Sequence, residues 1–416
     1  MRRLPATTVF YGLEFGLSMP AFVVAVVYFV REVHMSPLQL VATGTVMEVA
    51  VFLFEVPTGA IADTYGRRLS LTIAFLVEGA AWIVVGAVPH FWAIALAWFL
   101  WGFGATFESG AYQAWITDEV GVERVGGVFM RGARIQYAGG LVGLGASVAI
   151  ALWSMQAAVI AGGVVLVGCG LACAFVMPET GFVRASRGER SRVSELTRTA
   201  VAGARFVRVQ PILLLILGIA FFAGMSSEAL DRLWEAHFIR DIGLPSIGSL
   251  DPIVWFGLFG AAVLVAGLIA STVLIRRFDG APSKRLAQAL FGMTATLMVA
   301  ELGFALAGSL VLALGALVLA RLARSLLSPI SLTWLNQQID DSSVRATVIS
   351  IAGQADAIGE AGGGPALGGI GNVFGIRAAL AAGALVLLPA IGLYGRAIGH
   401  GGREPELEHL PEVAQA

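Results

Sequence analysis

Long apolar runs separated by short polar turns dominate the sequence. Runs of this length cross a bilayer as α-helices, and they lack the alternate-residue pattern of barrel strands. Helices satisfy their own backbone hydrogen bonds in lipid, so the pattern predicts an all-α integral membrane protein. Runs of roughly 18 or more mainly apolar residues occur about twelve times. They lie near residues 7–30, 38–61, 69–89, 91–116, 131–152, 155–177, 211–231, 252–275, 286–307, 310–334, 346–370 and 376–394.

Basic residues are distributed unevenly between the two sets of polar connections. The side opposite Arg67 has only Arg31, Arg232, Arg240 and Arg377. The positive-inside rule therefore predicts that the connections on the Arg67 side, the long middle segment and both termini are cytoplasmic. The connections on that side carry Arg2, Arg3, Arg67, Arg68, Arg124, Arg131, Arg134, Arg276, Arg277, Lys284, Arg285, Arg345, Arg396 and Arg403.

Composition agrees with a membrane protein. Hydrophobic residues make up 57% and charged residues 13% of the chain, and the mean hydropathy is +0.82. These values lie far outside the range of soluble proteins. The first run is long enough to span and lacks a small-residue cleavage site, so we expect no cleaved signal peptide. Lys284 is the single lysine, and all other Lys or Arg positions are arginine. This preference and the excess of alanine and glycine are typical of a GC-rich genome. We therefore expect the inner membrane of a bacterium.

A polar, arginine- and serine-rich segment divides the chain in two. We predict an N-terminal bundle over residues 1–180, a cytoplasmic linker over 181–209, a C-terminal bundle over 210–396 and a cytoplasmic tail over 397–416. Ala114-Trp115 corresponds to Thr333-Trp334, and Gln136 corresponds to Gln354, at offsets of 219 and 218 residues. Parallel repeats produce such a relation, although coincidence is the alternative.

The segment Gly59-Ala-Ile-Ala-Asp63-Thr-Tyr-Gly66-Arg67-Arg68 is the most distinctive polar stretch. It joins the second and third apolar runs and reads G-x-x-x-D-x-x-G-R-R. Gly59 permits close helix approach, and Gly66 permits the positive φ of a tight turn. Arg67 and Arg68 could be topology determinants only, but the accompanying Asp63 and Gly66 favour a gate.

This pattern resembles the loop between the second and third helices of major facilitator superfamily transporters. The runs Phe54–Gly59, Met177–Thr180, Pro329–Asn336 and Gln354–Pro365 resemble the drug:proton antiporter (multidrug and macrolide efflux) branch. The resemblance implies about twelve transmembrane helices in two pseudo-symmetric six-helix bundles. It also implies a central cavity lined by the first, fourth, seventh and tenth helices, and export by alternating access.

The resemblance also implies a cytoplasmic gate at this loop. Asp63 would face the N-terminus of the eleventh helix, where the helix dipole favours a negative charge. Arg67 or Arg68 would pair with Asp118 at the cytoplasmic end of the fourth helix. The predicted gate residues are Gly59, Asp63, Gly66, Arg67, Arg68 and Asp118.

Ionisable residues inside apolar runs are costly in lipid, so they need partners or a water-filled cavity. Structural hydrogen bonding is the alternative for Glu108, and a solvated helix end is the alternative for Glu228. The fourth run contains Glu108 and no arginine, unlike many drug–proton antiporters. We leave Glu48 undecided and expect supporting roles for Glu78 and Glu301. The predicted residues of proton coupling or of the substrate cavity are Glu14, Glu108, Glu228, Arg321, Arg324 and Asp356.

The sequence contains no G-x-x-x-x-G-K-[ST] phosphate loop, and its five histidines lack metal-ligand spacing. We therefore expect no enzyme activity, no cofactor and no metal. Cys169 and Cys173 are one helical turn apart and are interpreted as packing residues. The expected partners are a small-molecule substrate, protons and the lipid bilayer, without nucleic acid, and we expect a monomer. The alternatives are a uniporter or importer of a small metabolite, or a non-transporting membrane receptor.

Overall fold

The computed structural model describes residues 4–20, 22–182, 210–246, 248, 251–273, 278, 280–339 and 345–400. Within these ranges every regular element is helical and no strand occurs. The prediction of an all-α membrane fold is therefore confirmed. The predicted linker over 181–209 lies almost entirely outside the described residues, as does the tail after His400.

Helices cross the molecule in two sets of six. The N half contains α1 (Ala6–Arg31, broken near its middle), α2 (Pro37–Tyr65), α3 (Arg67–Ala87), α4 (Phe91–Val120, also broken), α5 (Val122–Ala151) and α6 (Met155–Val176). The C half contains α7 (Pro211–Ile242), α8 (Ile253–Val273), α9 (Ser283–Leu306), α10 (Leu310–Gln337), α11 (Arg345–Phe374) and α12 (Ile376–Gly399).

Nine of these helices, counted over the described ranges, are long and apolar enough to cross a membrane. The others are α5, α8 and α11. Helix α8 has a shorter apolar stretch, Ile253–Gly267. Helices α5 and α11 are each 30 residues long but contain charged side chains, among them Arg131 and Glu360. A charged residue within a span must face protein or water, so these two helices are expected beside the interior of the molecule.

Glycines with positive φ make the sharp turns between successive helices. Gly66 has a φ of 115° and joins α2 directly to α3, which begins at Arg67. Gly121 joins α4 to α5 in the same way, and Gly375 joins α11 to α12, with φ values of 86° and 91°. Other residues rarely adopt this region, so the tight turn predicted at Gly66 follows from its lack of a side chain.

The break in α1 separates Ala6–Leu17 from Phe22–Arg31. Its backbone lies directly against α5, where Gly139 and Gly143 leave room for it: a Cβ at either position would overlap the backbone of α1 at Phe15 or Met19. The hydroxyl of Ser18 donates to the carbonyl of Phe15 at 2.9 Å and satisfies one group that the break frees.

The break in α4 lies at Ser109 and Gly110, between Phe91–Glu108 and Ala111–Val120. Hydroxyl groups of neighbouring helices satisfy two carbonyls beside it. Thr58 of α2 donates to the carbonyl of Thr106 at 3.0 Å, and Ser70 of α3 donates to that of Phe107 at 2.7 Å. Irregular backbone at membrane depth is tolerated when its polar groups are satisfied in this way.

The two halves meet near one face of the molecule. We call this face, where α1 ends, the Arg31 face, and the opposite one, where α2 ends, the Arg67 face. The first half of α2 packs against the last half of α11, and Leu144 and Val148 of α5 contact Gly260 and Gly257 of α8. These contacts belong to the Arg31 side of each helix. We infer an arrangement that is closed at the Arg31 face and open toward the Arg67 face.

Candidate functional site

An acidic cavity lies within the N half. It has a volume of about 310 Å³ and receives Glu14 of α1, Glu78 of α3 and Glu108 of α4. None of the described residues that line it is an arginine or a lysine. The other lining residues are Phe10, Leu17, Phe22, Trp101, Tyr112, Gln113, Phe129, Gln136 and Leu166. Three carboxyl groups therefore share a largely aromatic chamber, and no basic side chain is among its described lining residues.

The break in α4 positions Glu108. This residue is the last of the first helical piece, and Gly110 has a φ of 69°, which turns the chain into the second piece. The hydroxyl of Ser109, the residue after Glu108, donates to Glu55 Oε1 of α2 at 2.7 Å. Glu108 thus projects from a helix end that is anchored to α2 and α3.

Tyr112 connects the cavity wall to Glu14. Its hydroxyl donates to the carbonyl of Phe10 at 3.4 Å and lies near the Glu14 carboxyl group, and its ring stacks on Phe10 with centroids 5.3 Å apart. Tyr112 lies one turn beyond Glu108 on α4. The break in α4 therefore places a carboxyl group and a phenol on the same cavity.

Glu78 lies beside Glu108 and is only 3% exposed. A Cβ at Gly104 of α4 would lie 2.8 Å from Glu78 Cγ, so this glycine leaves the space that the glutamate fills. The sequence alone predicts a supporting role for Glu78 on a peripheral helix, whereas its side chain lines the cavity. The only sequence signal is the run of small residues at positions 79–81 beside it.

Asp231 of α7 bridges two arginines of α10 in the C half. Its Oδ1 lies 2.5 Å from Arg321 Nη1, and its Oδ2 lies 2.8 Å from Arg324 Nη1. Arg321, one of the predicted site residues, has Asp231 as its partner. One carboxylate thus holds two guanidinium groups, and hydrogen bonds between ionised groups are the strong ones.

Arg232 links the two halves. Its guanidinium carbon lies 5.3 Å from the ring centre of Trp98 on α4, and its Nε lies 3.8 Å from Glu228 Oε2. Gly44 of α2 makes room for both charged side chains, because a Cβ there would lie within 2.8 Å of each. The predicted cavity residue Glu228 is therefore buried where α2, α4 and α7 meet, with 3% exposure.

Two further carboxyl groups face each other across the halves. Glu48 of α2 and Glu360 of α11 are electrostatic neighbours. Ser227 of α7 donates to Glu360 Oε1 at 3.4 Å. Asp356, predicted as a coupling residue, lies one turn away on α11 and is close enough to influence both groups.

A second cavity, of about 530 Å³, lies inside the C half. Its walls are mainly apolar, and its charged lining residues are Glu301, Arg324 and Asp356. Tyr394 of α12 and Trp334 of α10 close it toward the Arg67 face, with their rings 5.7 Å apart. Two of the predicted site residues, Arg324 and Asp356, therefore border a chamber separate from the acidic cavity of the N half.

An ion pair closes the Arg31 face. Arg31 at the end of α1 donates two hydrogen bonds to Asp251, at 2.6 and 3.0 Å. These bonds hold the pKa of Asp251, which precedes α8, below its ordinary value. Arg240 donates to the carbonyl of Met35 at 2.6 Å, and Asn372 Oδ1 accepts from the amide of Leu38 at 3.0 Å. In the sequence, Arg31 and Arg240 indicate only the orientation of the chain.

At the Arg67 face, the carboxylate that meets the glycine–arginine turn is Glu179. Its Oε1 accepts the backbone amide of Arg68 at 2.9 Å, and its side chain covers Gly66. The side chain of Asp118 is exposed, and the adjacent Glu119 accepts the amides of Thr180 and Gly181. These contacts stay within the N half.

The gate predicted from the sequence would join the halves at the Arg67 face. The side chain of Asp63 lies outside the described part of the chain. Gly59 is half-buried on α2, and a Cβ there would meet no atom. The pairing of Arg67 or Arg68 with Asp118 stays a prediction for a conformation that closes this face.

Comparison with known proteins gives the same fold. The profile described as Major Facilitator Superfamily matches residues 6–300. The chain is 24% identical over 388 residues, 92% of either chain, to a protein of Bacillus subtilis (strain 168) described as the uncharacterized MFS-type transporter YxaM.

Solved transporter structures resemble the whole molecule at low sequence identity. The nucleoside transporter NupG has a TM-score of 0.73 at 10% identity and covers 96% of this chain and 99% of its own. A bacterial homolog of the human lysosomal transporter Spinster, in an inward-facing and unoccupied conformation, has a TM-score of 0.71 at 15% identity, over 95% and 96%. A POT family transporter in complex with a thioalcohol-conjugated peptide scores 0.72 at 13% identity, over 95% and 96%.

These structures share the fold, and the profile covers more than half of the sequence. The helical passes, the glycine–arginine turn and the cavities between helices agree with that match. The chain belongs to the major facilitator superfamily and is a multi-pass membrane transporter.

Proposed function

We propose that the protein exports amphipathic or cationic small molecules by alternating access, in exchange for protons. The observation that carries this proposal is the acidic cavity of the N half, with Glu14, Glu78 and Glu108 and no basic residue in its described lining. Cations are the ligands that such a chamber attracts, because each carboxylate there lacks a fixed counter-charge. Drug-like efflux substrates are the class proposed.

The cavity walls favour organic cations over inorganic ones. Phe10, Phe22, Trp101, Tyr112 and Phe129 contribute aromatic rings to the lining. An aromatic face attracts a cation and also buries the apolar part of an amphipathic molecule. The combination of aromatic rings and a few carboxyl groups therefore suits a ligand with both a positive charge and an apolar body.

Proton exchange follows from the same groups. A carboxyl group that lacks a fixed counter-charge can hold a proton or a cationic ligand, but not both at the same time. Protonation from the outside would release the substrate, and deprotonation inside would prepare the site again. In the C half, Asp231 pairs with both Arg321 and Arg324, and arginines do not lose their proton, so we assign these arginines to fixed counter-charges and leave coupling to the carboxyl groups.

The charge asymmetry supports an orientation in the membrane. We place the Arg67 face in the cytoplasm of a bacterium, with both termini on that side and the chain in the inner membrane as a monomer. The arrangement described above is then inward-open. When the Arg67 face closes during the cycle, the predicted gate residues would act there. They include Asp63, Arg67, Arg68 and Asp118.

The test is transport by the purified protein in lipid vesicles with an imposed pH gradient. A fluorescent organic cation should accumulate against its gradient when protons flow the other way. Glu108→Gln should reduce this exchange strongly, whereas the matched change Glu301→Gln in the C half should reduce it less. Exchange that ignores the pH gradient would contradict proton coupling, and transport of nucleosides or peptides without cations would favour the metabolite transporter. The absence of any transport would favour a receptor.

A further inference from the structure

The seam between the halves is a regular antiparallel packing of α2 on α11. A Cβ at Gly371 would lie 2.8 Å from Pro37, and a Cβ at Gly368 would lie 3.4 Å from Val41. A Cβ at Gly364 would overlap the hydroxyl of Thr45. Toward the Arg67 face, each contact lies about one helical turn later in the sequence of α2 and about one turn earlier in the sequence of α11. Successive turns of the two helices therefore meet rung by rung, and glycines on α11 permit the close approach.

Glu48 and Glu360 form the next rung. Glu48 follows Thr45 by three residues on α2, and Glu360 precedes Gly364 by four on α11, so each lies one turn farther on the same helix face. The register of the two helices therefore places their carboxyl groups side by side, and each is an electrostatic neighbour of the other. One turn beyond, Phe52 of α2 is 62% exposed. The carboxyl pair therefore marks the end of the close-packed seam.

The charged groups around this pair come from three helices. Arg232 and Glu228 of α7, Arg324 of α10 and Asp356 of α11 are its electrostatic neighbours. Arg324 is already bound to Asp231, and Arg232 is paired with Glu228 and lies on Trp98. Asp356 and Glu228 add negative charge. Among the described residues, the arginines nearest to the pair are thus already paired with other carboxylates.

We propose that Glu48 and Glu360 form a proton-binding site that exists only while the halves are closed at the Arg31 face. Two carboxylates side by side cannot both be ionised without strong repulsion, and a hydrogen bond between them requires one shared proton. When the halves separate at this face, the pair is pulled apart and each group can ionise alone. One proton therefore stabilises the inward-open arrangement, and its release favours the outward-open one.

This inference rests on the proposed orientation for its direction. The site lies at the inner end of the seam, so the proton it holds would leave toward the cytoplasm through the open side. Loss of that proton would weaken the closed seam and return the transporter outward. Such a device links inward proton flow to the conformational step itself, apart from the cation cavity of the N half.

A distance measurement without any substrate tests the device. Spin labels would be placed at Val88 of the α3 end and Val311 of α10, both exposed at the Arg31 face on opposite halves. The buried Cys169 and Cys173 would first be changed to alanine. The distance between labels would be recorded for the protein in nanodiscs, from mildly acidic to mildly alkaline pH.

We expect the wild-type distance to change from short to long as the pH rises. Glu48→Gln and Glu360→Gln should each keep the short distance to a higher pH, with a midpoint moved by about one pH unit or more. The double variant should lose this part of the pH dependence. Glu55→Gln, the same change on α2 but bonded to Ser109 within the N half, should titrate as the wild type does.

Two results would overturn the proposal. One is a wild-type distance that does not respond to pH, which needs no variant to interpret. The other is a wild-type midpoint retained in either correctly folded glutamine variant. Failure of cation export in vesicles, with the conformational titration intact, would instead reject the proposed substrate class and leave the proton site standing.

Discussion

The guanidinium group of Arg232 lies 5.3 Å from the ring centre of Trp98, so a charge on the C half rests on an aromatic face of the N half. Trp98 also packs against Trp82 and Trp101, which hold its ring in place. Cation–π contacts are worth about 0.5–2 kcal/mol, depending on how far the cation is desolvated. Because Arg232 is mostly buried here, this contact stabilises the closure of the Arg31 face.

Replacing Trp98 with leucine should therefore shift the protein away from the inward-open arrangement. A loss of about 1 kcal/mol corresponds to a several-fold change in the population. The spin-label distance between positions 88 and 311 would report it. Trp98→Tyr, which retains an aromatic face, should shift the population less, and equal effects of the two changes would argue against the contact.

Asp231 is the only described anion in direct contact with both Arg321 and Arg324. Asp231→Asn should lower the stability of the C half by about 1.5–3 kcal/mol, because hydrogen bonds to charged groups contribute that much and two arginines lose their anion. Thermal unfolding of the detergent-solubilised protein would measure the loss. Asp231→Glu should recover part of the stability. An unchanged unfolding midpoint in the asparagine variant would show that other groups neutralise the arginines.

The hydroxyls of Thr58 and Ser70 satisfy carbonyls beside the break in α4. Ser70→Ala should lower the free energy of unfolding by about 1 kcal/mol, because a buried carbonyl would lose its partner. Removing both hydroxyls should lower it further. Ser70→Ala should also weaken transport, since Glu108 projects from the break in α4. The matched control is Thr72→Val on the same helix, whose hydroxyl bonds only the carbonyl of Arg68 one turn back. Equal effects at positions 70 and 72 would contradict this role of the break.

Glu78 shares its cavity with Glu108, so it should contribute to cation binding. We expect Glu78→Gln to raise the concentration of organic cation needed for half-maximal exchange, with the folded protein retained because glutamine keeps the volume and hydrogen-bonding groups. Transport in vesicles would be measured against Glu301→Gln, a buried glutamate of similar exposure in the C half. Unaltered cation affinity at Glu78→Gln would restore the supporting role expected from the sequence.

The ion pair of Arg31 and Asp251 should respond to pH differently from the seam. The pKa of Asp251 is lowered by its hydrogen bonds with Arg31, so the stabilisation is present above the ordinary carboxyl value of about 3.9. It is lost only as the pH falls through the lowered value. Both side chains are about one-third exposed, which limits the contribution to roughly 0–1 kcal/mol.

The difference in unfolding midpoint between the wild type and Asp251→Asn should therefore be small and constant from neutral to mildly acidic pH. It should vanish only in strong acid. A difference that is already lost near the ordinary carboxyl pKa of about 3.9 would mean that Arg31 does not lower the pKa of Asp251 in solution.

The sequence alone determined the membrane-spanning helices and their turns. Helical hydrogen bonds and apolar run lengths are local properties, so the spans and the positive φ of Gly66 could be predicted without knowing any neighbour. Charge asymmetry is likewise a property of the linear order. Glu14, Glu108, Arg321 and Arg324 were recognisable because an ionisable residue inside an apolar run always requires an explanation.

Only the tertiary structure decided which of these groups meet. Glu48 and Glu360 lie more than three hundred residues apart in sequence, and Arg31 and Asp251 are 220 apart. Their contacts depend on how α2 and α11 pack and on which face of the molecule is closed. Helical periodicity specifies the direction of a side chain around its own helix but not the neighbour it faces. The place of Glu78 in the cavity could not be predicted for this reason, since the glycine that leaves space for it belongs to α4.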